Sequence, residues 1–178
     1  MNNTNKVLKT TGMYLIGAGS LCVRMGFKLK PKKYGRRTIE NFLSDLIGIS
    51  KDTISVSDAN YYLLDWDKWG EIIDLDMIDA LIYKSDYFDC DNFAFLFASR
   101  AADLYKLNSA GVAFGAIYNK DTGKYIGRHA FNIIVTEDNG ILHSYCYEPM
   151  SDGSALIVKG RDTVIGSWKY VPDWLIFF

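Results

Sequence analysis

The chain has 178 residues, 49% of them hydrophobic and 23% charged. This excludes a disordered chain and fits one domain with a short appendage. A net charge of −1 leaves no global field for nucleic acid or anionic lipid. The charges are segregated, however: residues 1–37 carry nine basic and no acidic side chains, whereas residues 38–91 carry three basic and thirteen acidic ones.

Near the start, Met13–Val23 (MYLIGAGSLCV) is too short to span a bilayer, which needs about 20 apolar residues. It reads as a short buried or docking helix, with only a weak likeness to a secretory signal. Residues 24–37 (RMGFKLKPKKYGRR) read as a solvated basic connector. The sharper alternative is an arm, residues 1–37, that docks an assembly partner or an acidic surface. Nucleic acid is not expected there, because no aromatic stacking platform accompanies the basic run. Residues 38–178 are then the domain proper.

Within that domain, Thr38 is placed to cap a helix through Ile47, with Ile39, Phe42, Leu43, Leu46 and Ile47 at helical spacing. A polar, turn-rich stretch follows at 48–60, then a short extended piece at 61–64. Asp65 is placed to cap a helix over 66–73, and a second short helix is predicted over 75–84. Asp89 is placed to cap a longer, largely buried helix from Cys90 to about Leu107. Strands are predicted over 111–118, 125–136, 141–148 and 155–158, with one or two more in 167–178. Asn139-Gly140 is a strong hairpin signal. Helices first and an antiparallel meander second make an α+β class.

The three cysteines, Cys22, Cys90 and Cys146, have no paired spacing and describe no disulfide framework. Reduced thiols point to a reducing compartment such as cytoplasm. A lone buried cysteine is most often an inert small hydrophobe, and that reading suits Cys22 and Cys146. Cys90 differs. At a helix start, unpaired amides and the helix dipole favour the thiolate. Asp89 and Asp91 beside it work in the opposite direction.

A nucleophilic thiol needs a base, and only His129 and His143 are available. A two-residue turn at Asn139-Gly140 makes paired positions sum to 279. Alternation then puts His129, Phe131, Ile133 and Val135 on one face with Leu142, Ser144, Cys146 and Glu148, and leaves His143 and Asn132 on the other. His129 and Glu148 become diagonal neighbours, and a carboxylate there would fix the imidazole tautomer. That face is mostly apolar, so it is expected to pack on the Cys90 helix. Cys90 as nucleophile, His129 as base and Glu148 as orienting acid form the candidate catalytic set.

The stretches DCDNFAF, RHAFNIIV and YEP resemble the papain-like cysteine protease domain at the C-terminus of a fairy-ring mushroom agglutinin, and phage-encoded proteins related to it. The resemblance covers roughly residues 57–178. It implies a papain-like or transglutaminase-like fold, N-terminal helices packed on an antiparallel sheet. It also implies a cysteine-dependent amide hydrolase or acyl transferase acting on a peptide or protein substrate. The family's Gln two places after the acid is Met150 here. The alternative, favoured by the basic arm and by Met150 in place of that Gln, is a phage virion or assembly component on this fold with little turnover. Calcium is a possible cofactor by the same resemblance, with the acidic run Asp65, Asp67, Glu71, Asp74, Asp76 and Asp79 as its candidate ligands, although no EF-hand spacing is present.

Overall fold

The computed structural model describes residues 29–178. The Met13–Val23 stretch and Cys22 lie outside them. The described compact unit begins at Pro31, inside the stretch read as a connector. Strand β1 (Lys32–Gly35) pairs antiparallel with β3 (Asn60–Leu63). Lys32 Nζ also meets the buried Glu137 carboxylate at 2.6 Å. The basic run therefore enters the fold, because its backbone pairs as a strand while Lys32, with 58% of its side chain exposed, reaches over to Glu137.

Helix α1 (Arg36–Ile47) starts two residues before Thr38. Gly35 occupies its N-cap, so the strand feeds straight into the helix without a side-chain cap. Its apolar face buries Ile39 and Leu43. Gly48 ends it in the left-handed region at φ 80°, where glycine has no Cβ to clash. After one 3-10 turn, β2 (Ile54–Val56) runs parallel to the last strand, a pairing between residues more than 100 positions apart.

Helix α2 (Trp66–Asp76) is capped by Asp65, whose carboxylate accepts the Lys68 N–H at 2.8 Å. The helix predicted over 75–84 is absent. Met77 turns left-handed at φ 53°, and Asp76 Oδ1 accepts the Ile78 N–H at 2.7 Å, which locks a turn in place of a second helix start. Helix α3 (Cys90–Tyr105) begins at the expected cap, where the Asp89 N–H donates to Asn92 Oδ1 at 3.1 Å.

The second half is a meander of β4 (Ala110–Asn119), β5 (Tyr125–Asp138), β6 (Ile141–Glu148) and β7 (Gly153–Leu156). Two further strands follow, β8 (Thr163–Ile165) and β9 (Trp168–Phe177). The strand order is β2-β9-β4-β5-β6-β7, with β8 on β9, and every pair except β2 with β9 is antiparallel. Asn139 and Gly140 both have positive φ, 51° and 87°, as a tight two-residue hairpin requires. The β5–β6 register runs from Asp138↔Ile141 to Asn132↔Tyr147, the pairing predicted from that turn.

Helices cover both sheet faces. Ile39 and Leu43 of α1 pack with Phe131, Ile133, Val135 and Cys146. Ala94 and Ala98 of α3 pack with Val112 and Ala130 on the other face. Asn132 ties α3 down, its Nδ2 donating to the Ala94 carbonyl at 2.9 Å and the Gly111 carbonyl at 3.0 Å. The expectation that the Cys90 helix packs on the face of His129 and Phe131 is therefore corrected: both faces are apolar, and α1 holds that one. The papain-like or transglutaminase-like architecture, with N-terminal helices as one layer on an antiparallel sheet, is corrected as well. Strand outweighs helix, the first third supplies β1, β2 and β3, and β2 makes a parallel edge.

Candidate functional site

The β5–β6 pairing stops at Asn132↔Tyr147, so β5 runs on past the end of β6. His129 lies in that overhang and Glu148 is the last residue of β6. Their side chains meet: His129 Nε2 and Glu148 Oε2 are 2.6 Å apart, with only 7% and 5% of each side chain exposed. The Cys90 thiol lies near enough to the imidazole for each to shift the other's proton affinity. Cys90 is the first residue of α3 and packs against the cluster of Ala94, Ala98, Val112 and Ala130 on the far face of the sheet.

Burial works against charge on His129. Hydrogen bonds to Cys90 and Glu148, and their negative charges, outweigh it and push the imidazole up to about 9. The same contact lowers the Cys90 thiol. Its hydrogen bond with His129 is the largest influence, burial opposes it, and a hydrogen bond with the Ala130 backbone helps. The charge of Asp89 raises it, as the sequence implied. Both directions favour the thiolate–imidazolium form over the neutral pair. Cys146, by contrast, is fully buried and its thiol is pushed up by desolvation.

Glu148 receives two further donors. The Met150 N–H reaches Oε1 at 3.3 Å, and the Tyr170 hydroxyl reaches Oε2 at 3.0 Å. Tyr170 was not anticipated. Its placement depends on β9 pairing with β4, a contact between distant parts of the chain that no turn signal announces. Beside it, a cleft of about 410 Å3 opens between Glu148, Met150, Ile165 and Trp168, and the Trp168 ring stands edge-on to His129 with centroids 6.2 Å apart.

His143 lies on the opposite sheet face, beside Trp66 and Tyr145. Among the described residues no group of three or more His, Cys, Asp or Glu side chains is placed to hold a metal ion. In the acidic run, Asp65 is an N-cap, Lys68 pairs Glu71 at 2.5 Å, and Asp76 holds the turn after α2. Among the same residues no helix is long and apolar enough to cross a membrane.

No protein-family model matches the chain, and no curated protein does. Ten solved chains match it. One is a PSL1a-E64 complex: it is 20% identical, with a TM-score of 0.52, over 82% of this chain and 51% of that one. Another is the Polyporus squamosus lectin bound to the human-type influenza-binding epitope Neu5Aca2-6Galb1-4GlcNAc. It is 19% identical, with a TM-score of 0.55, over 82% of this chain and 49% of that one. This chain spans about half the length of those structures, and at such identity the likeness is one of fold.

These matches correct the family resemblance drawn from DCDNFAF, RHAFNIIV and YEP. The Polyporus squamosus structure is named a lectin, and neither neighbour is named a papain-like protease, a phage protein or a virion protein. The amide-hydrolase and acyl-transferase activity, and the assembly-component alternative, are corrected with it.

Proposed function

We propose that Cys90, His129 and Glu148 form one thiol-reactive centre. Cys90 is the thiolate nucleophile, His129 holds its proton and Glu148 orients the imidazole. The observation that carries this reading is the buried 2.6 Å contact of His129 with Glu148, with Cys90 packed beside Ala130, the chain neighbour of His129, at the first residue of α3. A thiol paired only for packing has no use for an oriented, charged imidazole.

The epoxide E64 supplies a probe, and one of the matched structures is a PSL1a-E64 complex. The thiolate attacks a ring carbon, the S–C bond forms as the C–O bond breaks, and the resulting alkoxide takes the proton held by His129. The expected result is one added E64 mapped to the Cys90 peptide at pH 6, with Cys146 unmodified and Cys90→Ala unreactive. The rate should rise with pH as the thiolate forms and fall again as His129 loses its proton near 9. A Cys90 that reacts only above the ordinary thiol pKa of about 8.5 overturns the reading.

A separate feature favours glycan binding as a second reading. On the face opposite Glu148, the Trp66 indole stacks on the Tyr145 ring at 3.7 Å and 8°. Asp65, Asp67, Glu71 and His143 surround the pair at a cleft of about 610 Å3. An aromatic surface ringed by carboxylates suits a neutral sugar, whose C–H face lies on the ring while its hydroxyls donate to the acids. Titration with Galb1-4GlcNAc should give saturable binding that Trp66→Ala removes. The sialylated trisaccharide should bind more weakly, because its carboxylate meets like charge. No saturation with either sugar eliminates this reading.

A further inference from the structure

We infer that Tyr170 is the positioning residue of the Cys90–His129–Glu148 centre, its hydroxyl holding the Glu148 carboxylate where it receives His129. The inference rests on the thiol-reactive reading proposed above. It names a fourth member of the centre, contributed by a fourth element, β9.

Glu148 Oε2 accepts from two donors at once, His129 Nε2 at 2.6 Å and Tyr170 at 3.0 Å. Oε1 is held only by the longer Met150 contact, at 3.3 Å. A carboxylate turns readily about its last torsion, which is broad and roughly two-fold. The Met150 amide alone leaves that torsion loosely fixed. The tyrosine fixes it, because its own ring cannot turn. The ring is 4% exposed, stands edge-on to Phe131 at 5.0 Å and 79°, and lies 6.0 Å from the His129 ring.

A phenylalanine would fill the same space. The hydroxyl is therefore the informative atom, since burying it without a partner costs free energy. Burial, and then the Glu148 charge, keep the phenol above the ordinary tyrosine range, so it remains a donor across the working pH. The negative charge of Glu148 stays aimed at Nε2, and the charged imidazole keeps the orientation from which it acts on Cys90.

The test compares the full chain as wild type, Tyr170→Phe and Tyr118→Phe. Tyr118 makes a ring contact with Tyr125 in β5 and serves as a control for loss of a tyrosine hydroxyl elsewhere in the sheet. Iodoacetamide alkylation of the Cys90 peptide is followed against pH, and the His129 ring nitrogens are followed by 15N NMR. In Tyr170→Phe the thiolate midpoint should rise by about one pH unit, which is about tenfold less thiolate below the midpoint. The His129 midpoint should fall, and the Nε2 signal should lose its single hydrogen-bonded state. Tyr118→Phe should match wild type. A folded Tyr170→Phe with both midpoints unmoved overturns the positioning role while the thiol-reactive reading stands. A wild-type midpoint at the ordinary thiol value overturns that reading, and the role of Tyr170 with it.

Discussion

His129→Ala is expected to slow alkylation of Cys90 at pH 6, and to move its pH profile upward. The imidazole is the largest influence lowering the thiol, and burial and Asp89 both oppose it. Removing the ring leaves the opposing influences alone, so the thiol returns to or above its ordinary value of about 8.5. Two effects then compete. Each unit of pKa gained costs about tenfold in thiolate at a pH below the midpoint. It also returns about threefold in intrinsic nucleophilicity, since a more basic thiolate attacks faster with a Brønsted slope of about 0.4–0.5. The population wins by roughly threefold per unit, so the net effect at pH 6 is a slower reaction. Glu148→Gln should fall between the two proteins, because it keeps an acceptor for Nε2 but removes the charge that helps hold His129 near 9. Mass-mapped alkylation rates between pH 5 and 9 measure all three. A mutant profile that overlays wild type would show that the imidazole does not set the state of the thiol.

The parts of this centre that were legible in the sequence are the local ones. Asn139 and Gly140 can both take positive φ, so the turn set the β5–β6 register, and with it the shared face of His129 and Glu148. Asp89 marked the start of α3 because a helix N-terminus needs acceptors for its free amides. What escaped was non-local. Strands β1 and β2 lie in stretches that read as a connector and a polar turn, and only their partners, β3 and β9, make them strands. The face that α3 takes was misread because Ala130 and Ile134 are as apolar as Phe131 and Ile133, so alternation could not rank the two sides. The family resemblance failed for a related reason. Its three short motifs describe the surroundings of Cys90, His129 and Glu148, and they carry no information on strand order or on how helices divide between the faces.

The packing that brings Tyr170 to Glu148 turns on one residue, and Gly115→Ala should be the most destabilising small substitution near the site. Gly115 pairs with His129 on one side and Pro172 on the other. The β4–β9 register shifts between Phe114 and Gly115, where Trp174 faces Phe114 and Pro172 faces Gly115. That bulge brings the β9 backbone over β4. A Cβ at position 115 would lie 2.2 Å from the Val171 carbonyl oxygen and 2.7 Å from the Pro172 Cα. Both are backbone atoms, so no side chain can swing away and the strand itself must move. Overpacking against yielding side chains costs about 1–3 kcal/mol, so a clash with two backbone atoms belongs at or above about 3 kcal/mol. Gly127→Ala is the matched control: it lies on the same sheet, and its added Cβ meets nothing within 4 Å. It should shift the urea midpoint little, by about 0.5 kcal/mol or less. The displaced strand also carries Tyr170, two residues from Pro172. Any Gly115→Ala protein that folds should therefore lose Cys90 reactivity along with stability, whereas Gly127→Ala keeps both. Equal urea midpoints for the two alanine variants would mean that β9 does not cross β4 this closely, and the contact between Tyr170 and Glu148 would lose its structural basis.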